Sequence, residues 1–121
     1  MTDRRRVEFF LAYMKRHASE RFILINRAKN KGAIQRLGLS IETVKKIVLK
    51  LHVGNYSKGP LRDESGKHND VWVFGTSYEE TDLYIKFSVT KTDGETGVVC
   101  VSFHEAEREL DFPYGEQNGN N

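Results

Sequence analysis

Two stretches that alternate with period two constrain this chain more than anything else in it: Asp82-Leu83-Tyr84-Ile85-Lys86-Phe87-Ser88-Val89 and Gly97-Val98-Val99-Cys100-Val101-Ser102-Phe103-His104-Glu105. Successive side chains of a strand point to opposite faces, so Leu83, Ile85, Phe87 and Val89 form an apolar side and Tyr84, Lys86 and Ser88 a polar one. In the second stretch Val99, Val101 and Phe103 form the apolar set, opposed by Cys100, Ser102 and His104. Pairing the two strands with their apolar sides together places Tyr84, Lys86, Ser102 and His104 on one face. A phenol, an ammonium and an imidazole gathered there suit acid–base work on a phosphate. The solvated face of a half-buried sheet would show the same alternation with no function at all.

The rest of the chain divides into helices first and strands later. Val7, Phe10, Leu11 and Met14 recur at helical spacing after Asp3, which predicts an amphipathic helix over 4–17. Phe22-Ile23-Leu24-Ile25 is too short for periodicity to decide between strand and connector. Lys31 to Leu37 reads as a short helix stopped by Gly38. Ser40 then caps a second helix whose buried stripe is Ile41, Val44, Ile47, Val48 and Leu51, with Leu39 placed to staple onto Val44 and Gly54 ending it. Asn55 to Asn69 reads as a polar loop, and Asp70 to Phe74 as a strand closed by Gly75. Turns are expected over 76–82 and 90–97, the latter at Asp93-Gly94, so 70–104 forms a three-stranded antiparallel meander. The fold class is α+β, with N-terminal helices packed on one face of a small antiparallel sheet and the other face open. One domain is expected over 1–114, followed by a disordered tail over 115–121, which has no apolar group.

Charge narrows the function classes. The net charge of the 121 residues is only +2, yet residues 1–60 hold 14 Lys/Arg against 4 Asp/Glu and residues 61–121 hold 5 against 13. A basic half gathers phosphates, which makes nucleic acid a natural partner. No apolar run approaches the roughly 18 residues of a membrane span, and the start of the chain has no secretory pattern, so a cytoplasmic protein without membrane association is expected. The single cysteine, Cys100, excludes an internal disulfide and reads as a small core-like thiol. The four histidines, at 17, 52, 68 and 104, lack metal-site spacing, and no phosphate-binding glycine loop occurs, so neither metal nor nucleotide cofactor is expected. Residues 33–50 carry the apolar spacing and turn glycine of a helix-turn-helix, which would make a DNA-binding regulator using Thr43, Lys45 or Lys46. Two short helices packing on a sheet would read alike.

The blocks Tyr56-Ser57-Lys58, Asn69-Asp70-Val71-Trp72, Tyr84-Ile85-Lys86-Phe87-Ser88-Val89 and Val98-Val99-Cys100-Val101-Ser102-Phe103 occur in an order and spacing that resembles the MqsR family of toxins from toxin–antitoxin systems. The resemblance runs from about Lys31 to Glu105. It implies a RelE-like fold, an mRNA-cleaving endoribonuclease whose expression arrests growth, single-stranded RNA as substrate, and a cognate antitoxin whose acidic or apolar surface covers the basic site. It implies that the helix-turn-helix-like stretch is scaffold, leaving the DNA-binding reading second. The family's loop lysine falls on Lys58, or on Lys67 if the alignment slips, its strand tyrosine on Tyr84, and a polar residue before the Asp70-Val71-Trp72 strand on Asn69, where the family has glutamine. Its C-terminal basic position, often lysine, falls on His104; other RelE-like nucleases use a histidine after the final strand. Glu105 to Tyr114 have no counterpart in it.

These residues then divide by chemistry. Metal-free RNA cleavage uses the 2′-hydroxyl as nucleophile and needs a proton acceptor, a proton donor and positive charge on the phosphorane. His104 is the expected acid–base group, because imidazole changes charge nearest neutrality. Tyr84 and Lys58 complete the expected catalytic set, and Lys86, Asn69, Arg62 and Lys67 are expected to bind RNA. Trp72 reads as core rather than as a base-stacking platform, and Glu105 either orients His104 or faces water.

Overall fold

Asp3 accepts a hydrogen bond from the Arg6 amide through its side chain and starts α1 (Arg4–Ala18), whose 3.6-residue stripe Val7, Leu11, Met14 and Ala18 is buried. The structure is a computed structural model that describes residues 2–115. After α1 come β1 (Phe22–Leu24), α2 (Ala28–Leu37), α3 (Ile41–Leu49), a single 3₁₀ turn (Val53–Asn55), β2 (Tyr56–Leu61), β3 (Val71–Tyr78), β4 (Thr81–Thr92) and β5 (Glu95–Glu105). Gly38 caps α2 in the left-handed conformation at φ 67°, and Ser40 caps α3 by accepting from the Thr43 amide. The helix of residue 40 onward stops at Leu49 with Lys50 as its cap, short of Gly54.

The strands form one sheet in the order β1-β5-β4-β3-β2. The α+β class holds, with two corrections to the expected small antiparallel meander. Phe22–Leu24 is a strand, and it pairs parallel to β5, so the sheet is mixed. Tyr56–Leu61, expected as loop, is an antiparallel edge strand on β3 with two register irregularities, where Gly59-Pro60 is tolerated because an edge strand has a free side. The turns are also tighter than expected. β3 runs through Gly75 to Tyr78, and only Glu79 and Glu80, at φ 48° and 68°, make the turn into β4. Asp93 and Gly94, at φ 53° and 81°, turn β4 into β5. Positive φ at both turn residues matches the right-handed twist of the flanking strands.

α1 and α3 cover one face. Phe10 stacks on Trp72 with ring centroids 3.9 Å apart, and Phe74, Ile85, Phe87, Val98, Cys100 and Phe103 complete the core with Val44 and Val48 of α3. Trp72 is thus a core residue, and Cys100 is fully buried, its thiol pushed up to about 12 by loss of solvent. That arrangement corrects the expected phase of β5. Lys86 pairs with Ser102 but Phe87 pairs with Cys100, so Val101 is an extra, bulged residue. Before the bulge Val98 and Cys100 face the core and Val99 does not; after it Phe103 faces the core while Ser102 and His104 face out. The proposed tail over 115–121 lies outside the described residues except for Gly115. No helix among the described residues is long and apolar enough to cross a membrane.

Candidate active site

Strand register builds the site as two adjacent rows on the outer face of the sheet. One row is Lys58 on β2, Val73 on β3, Lys86 on β4 and Ser102 on β5; the next is Gly75, Tyr84 and His104. Residues two apart on a strand share a face at a spacing of about 7 Å, so the two lysines, the phenol and the imidazole converge. They line one open cleft of about 580 Å³, together with Ser57, Arg27 and Lys29. The Tyr84 and His104 rings lie nearly parallel, with centroids 5.3 Å apart.

His104 is only 7% exposed, and its Nδ1 sits 2.9 Å from the Glu105 carbonyl oxygen. A carbonyl only accepts, so Nδ1 carries the proton and Nε2 holds the lone pair. The orienting group is therefore the Glu105 backbone. Its carboxylate turns away to receive a two-pronged contact from Arg36 of α2, at 2.9 Å and 2.8 Å, which holds the carboxyl down at about 2. Burial raises the Tyr84 phenol above its ordinary value, and nearby Arg27 offsets part of the rise. The hydroxyl stays protonated at neutral pH and can donate.

Arg27, absent from the sequence-derived set, enters the cleft because of the β5 bulge. The bulge frees the Val101 carbonyl, which accepts from Arg27 Nη1 (3.2 Å) and from Asn30 Nδ2 (3.1 Å); Arg27 Nη1 also lies 3.3 Å from Ser102 Oγ. Asn30 has no exposed surface, and it further donates to the Ile25 carbonyl and accepts from the Phe103 amide. A buried amide thus fixes the phase that sends His104 outward. Its spacing with Ala33, Ile34 and Leu37 was the available signal, hidden by starting α2 at Lys31; nothing in the sequence marked Arg27.

Two of the residues expected to bind RNA lie elsewhere. Asn69 anchors the 62–69 loop to β4: its Nδ2 donates to the Val89 carbonyl, its carbonyl accepts from Ser88 Oγ and its amide reaches Thr90 Oγ1. Neither Asn69 nor Lys67 lines the cleft, so of the two alternative lysines the fold brings Lys58 to Tyr84 and His104. Arg62 lines an adjoining depression that shares Lys58, Tyr84 and Lys86 with the cleft. Among the described residues no group of three metal-ligating side chains occurs.

Comparison with known proteins adds one finding. The family described as "Motility quorum-sensing regulator, toxin of MqsA" matches residues 7–105, which include both rows of the site. Comparison with curated proteins and with solved structures gives no significant match.

Proposed function

Because this chain belongs to the MqsR toxin family, the toxins of the MqsA antitoxin, we propose that it is an endoribonuclease that cleaves single-stranded mRNA without a metal. The observation that carries the reading is the stacked Tyr84–His104 pair set beside Lys58 and Lys86 in one cleft. Nε2 of His104 takes the proton from a ribose 2′-hydroxyl as its oxygen attacks the adjacent phosphorus. Lys58, Lys86 and Arg27 carry the negative charge that grows on the phosphorane, and the Tyr84 hydroxyl donates to a non-bridging oxygen. The P–O5′ bond breaks, and the 5′-oxygen leaves with a proton from water. The products are a 2′,3′-cyclic phosphate and a 5′-hydroxyl.

Lys58 stands on an edge strand, beside a depression that carries Arg62. That supports an RNA path entering from the β2 side, past Lys58 and Arg62. The MqsA-type antitoxin partner then acts by closing this path or by holding the protein away from RNA.

The direct assay incubates the purified protein with a defined single-stranded RNA in excess chelator. Site-selective cleavage that chelator does not reduce is the expected result, accompanied by growth arrest when the protein is expressed without its antitoxin. An intact RNA, with protection of a DNA operator instead, would contradict the proposal and return the α2–α3 pair to a DNA-binding role.

A further inference from the structure

Past Glu105 the chain leaves the family match and folds back over the sheet. The Ala106 amide donates to the Asp82 carbonyl, which starts the crossing along β4. Leu110 and Phe112 then rest on Gly75: a Cβ there would stand 2.6 Å from Leu110 Cδ1 and 2.9 Å from Phe112 Cζ, so any other residue would push these two side chains off the sheet. Tyr114 ends the crossing, donating from its hydroxyl to the Thr2 carbonyl at 2.6 Å with its ring against Tyr56. The segment is a strap fixed at both ends and in the middle. Gly75 is the β3 partner of Tyr84, so the strap lies directly beside the Tyr84–His104 row.

Glu107, Glu109 and Asp111 of the strap line the cleft, with Arg108 as the one cation among them. Glu107 also holds Lys29, with 2.6 Å between carboxylate and ammonium. The depression on the Arg62 side has no strap residue in its lining. On the Arg62 side Asp63 is turned to Ser65 and the His68 amide and Glu64 stands with Arg62, whereas at the strap a phosphate chain bound by Lys58 and Lys86 meets three carboxylates against Arg108 alone.

We propose that residues 106–112 are a specificity-determining wall of the cleft, which admits one RNA strand from the Arg62 side and rejects duplex RNA, whose second phosphate strand falls on the carboxylates. The proposal rests on the ribonuclease reading above. Repulsion between like charges at the wall weakens binding, and the occupied Lys29 removes one phosphate contact that the cleft would otherwise offer.

The test is the full-length variant E107Q/E109Q/D111N, which keeps the anchors Leu110, Phe112 and Tyr114. It is compared with wild type on a cleavable single strand, on the matched duplex, and, by fluorescence anisotropy, on an uncleavable 2′-O-methyl strand. At about 50 mM salt the variant is expected to lower KM for the single strand about tenfold with kcat within about twofold, and the difference closes at about 500 mM, where the screening length falls to a few ångströms. Duplex cleavage, negligible in wild type, is expected to appear. Anisotropy reads the wall without chemistry: tighter binding of the uncleavable strand by the variant supports it even if no protein cuts, an outcome that would count only against the ribonuclease reading. Equal affinity of the two proteins for that strand at low salt, or a duplex that both cut alike, overturns the proposal. Should the triple variant melt early, Glu109→Gln alone gives the same direction at about threefold, and no change there overturns it too.

Discussion

His104 shows how one hydrogen bond can set a side chain's chemistry. Its Nδ1–H is committed to the Glu105 carbonyl, so the basic lone pair is on Nε2, and losing that ring removes the acid–base group outright. His104→Ala is expected to cut single-turnover cleavage by about 10²–10⁴, and Tyr84→Phe, which removes only a donor, by about 10²–10³. Neither belongs to the core under α1 and α3, so Tyr84→Phe should leave the melting temperature within a few degrees, while His104→Ala, which empties a position only 7% exposed, should lower it somewhat further with the protein still folded. The lysines separate by position: Lys58→Ala is expected to lose about 10² in kcat/KM, while Lys67→Ala, away from the cleft, keeps the wild-type value. Equal losses from the two would mean the loop lysine has been misplaced. Lys58, Tyr84, Lys86 and His104 were legible in the sequence through alternation and resemblance. Arg27 was not, since its place depends on a carbonyl exposed only by a bulge.

At the scale of elements, α2 is the brace for the end of β5. Asn30 bonds three backbone groups there; the two carbonyls also accept from Arg27, so Asn30→Leu would leave the Phe103 amide without a partner, a cost of about 2 kcal/mol. The expected measurement is a lower urea midpoint with an unchanged m-value, together with a loss of activity larger than the loss of folded protein, because the bulge also aims His104. The Arg36–Glu105 contact contributes differently. Arg36 holds the Glu105 carboxyl down at about 2, below its ordinary value of 4.5, so its stabilisation is fully present above about 4.5 and is lost as pH falls through about 2. Arg36 is largely exposed, so solvent and salt screen the contact and keep the effect small. Glu105→Gln should therefore match wild type near pH 2 and fall below it at pH 7. Helices α1 and α3 were readable because capping and 3.6-residue stripes coincide. The phase of β5 was not, because Val98-Val99-Cys100-Val101 is apolar throughout and period two cannot locate a bulge within it. The edge strand β2 was hidden for another reason: Gly59-Pro60 reads as a turn wherever the pairing partner is unknown.

Taken as a whole molecule, the unequal charge of the two halves finds its place in the site. Arg27, Lys29 and Lys58 come from the basic half, Tyr84, Lys86 and His104 from strands of the acidic one, and the strap adds Glu107, Glu109 and Asp111 with Arg108 to the lining. The α+β architecture was legible in the sequence, but the crossing of residues 106–114 was not, because its anchor is a missing side chain at Gly75. Cys100, buried and with its thiol held up near 12, should resist alkylation in the folded protein and react at once on unfolding in urea. The central claim, that the Tyr84 hydroxyl and the His104 imidazole act on one phosphodiester, is tested most directly by the chemistry of the cut ends. An RNA cleaved by the wild-type protein should carry a 2′,3′-cyclic phosphate and a 5′-hydroxyl, and a single 2′-deoxy substitution at the cleavage site should abolish that cut; a 3′-hydroxyl with a 5′-phosphate, or undiminished cutting of the deoxy-substituted strand, would contradict it.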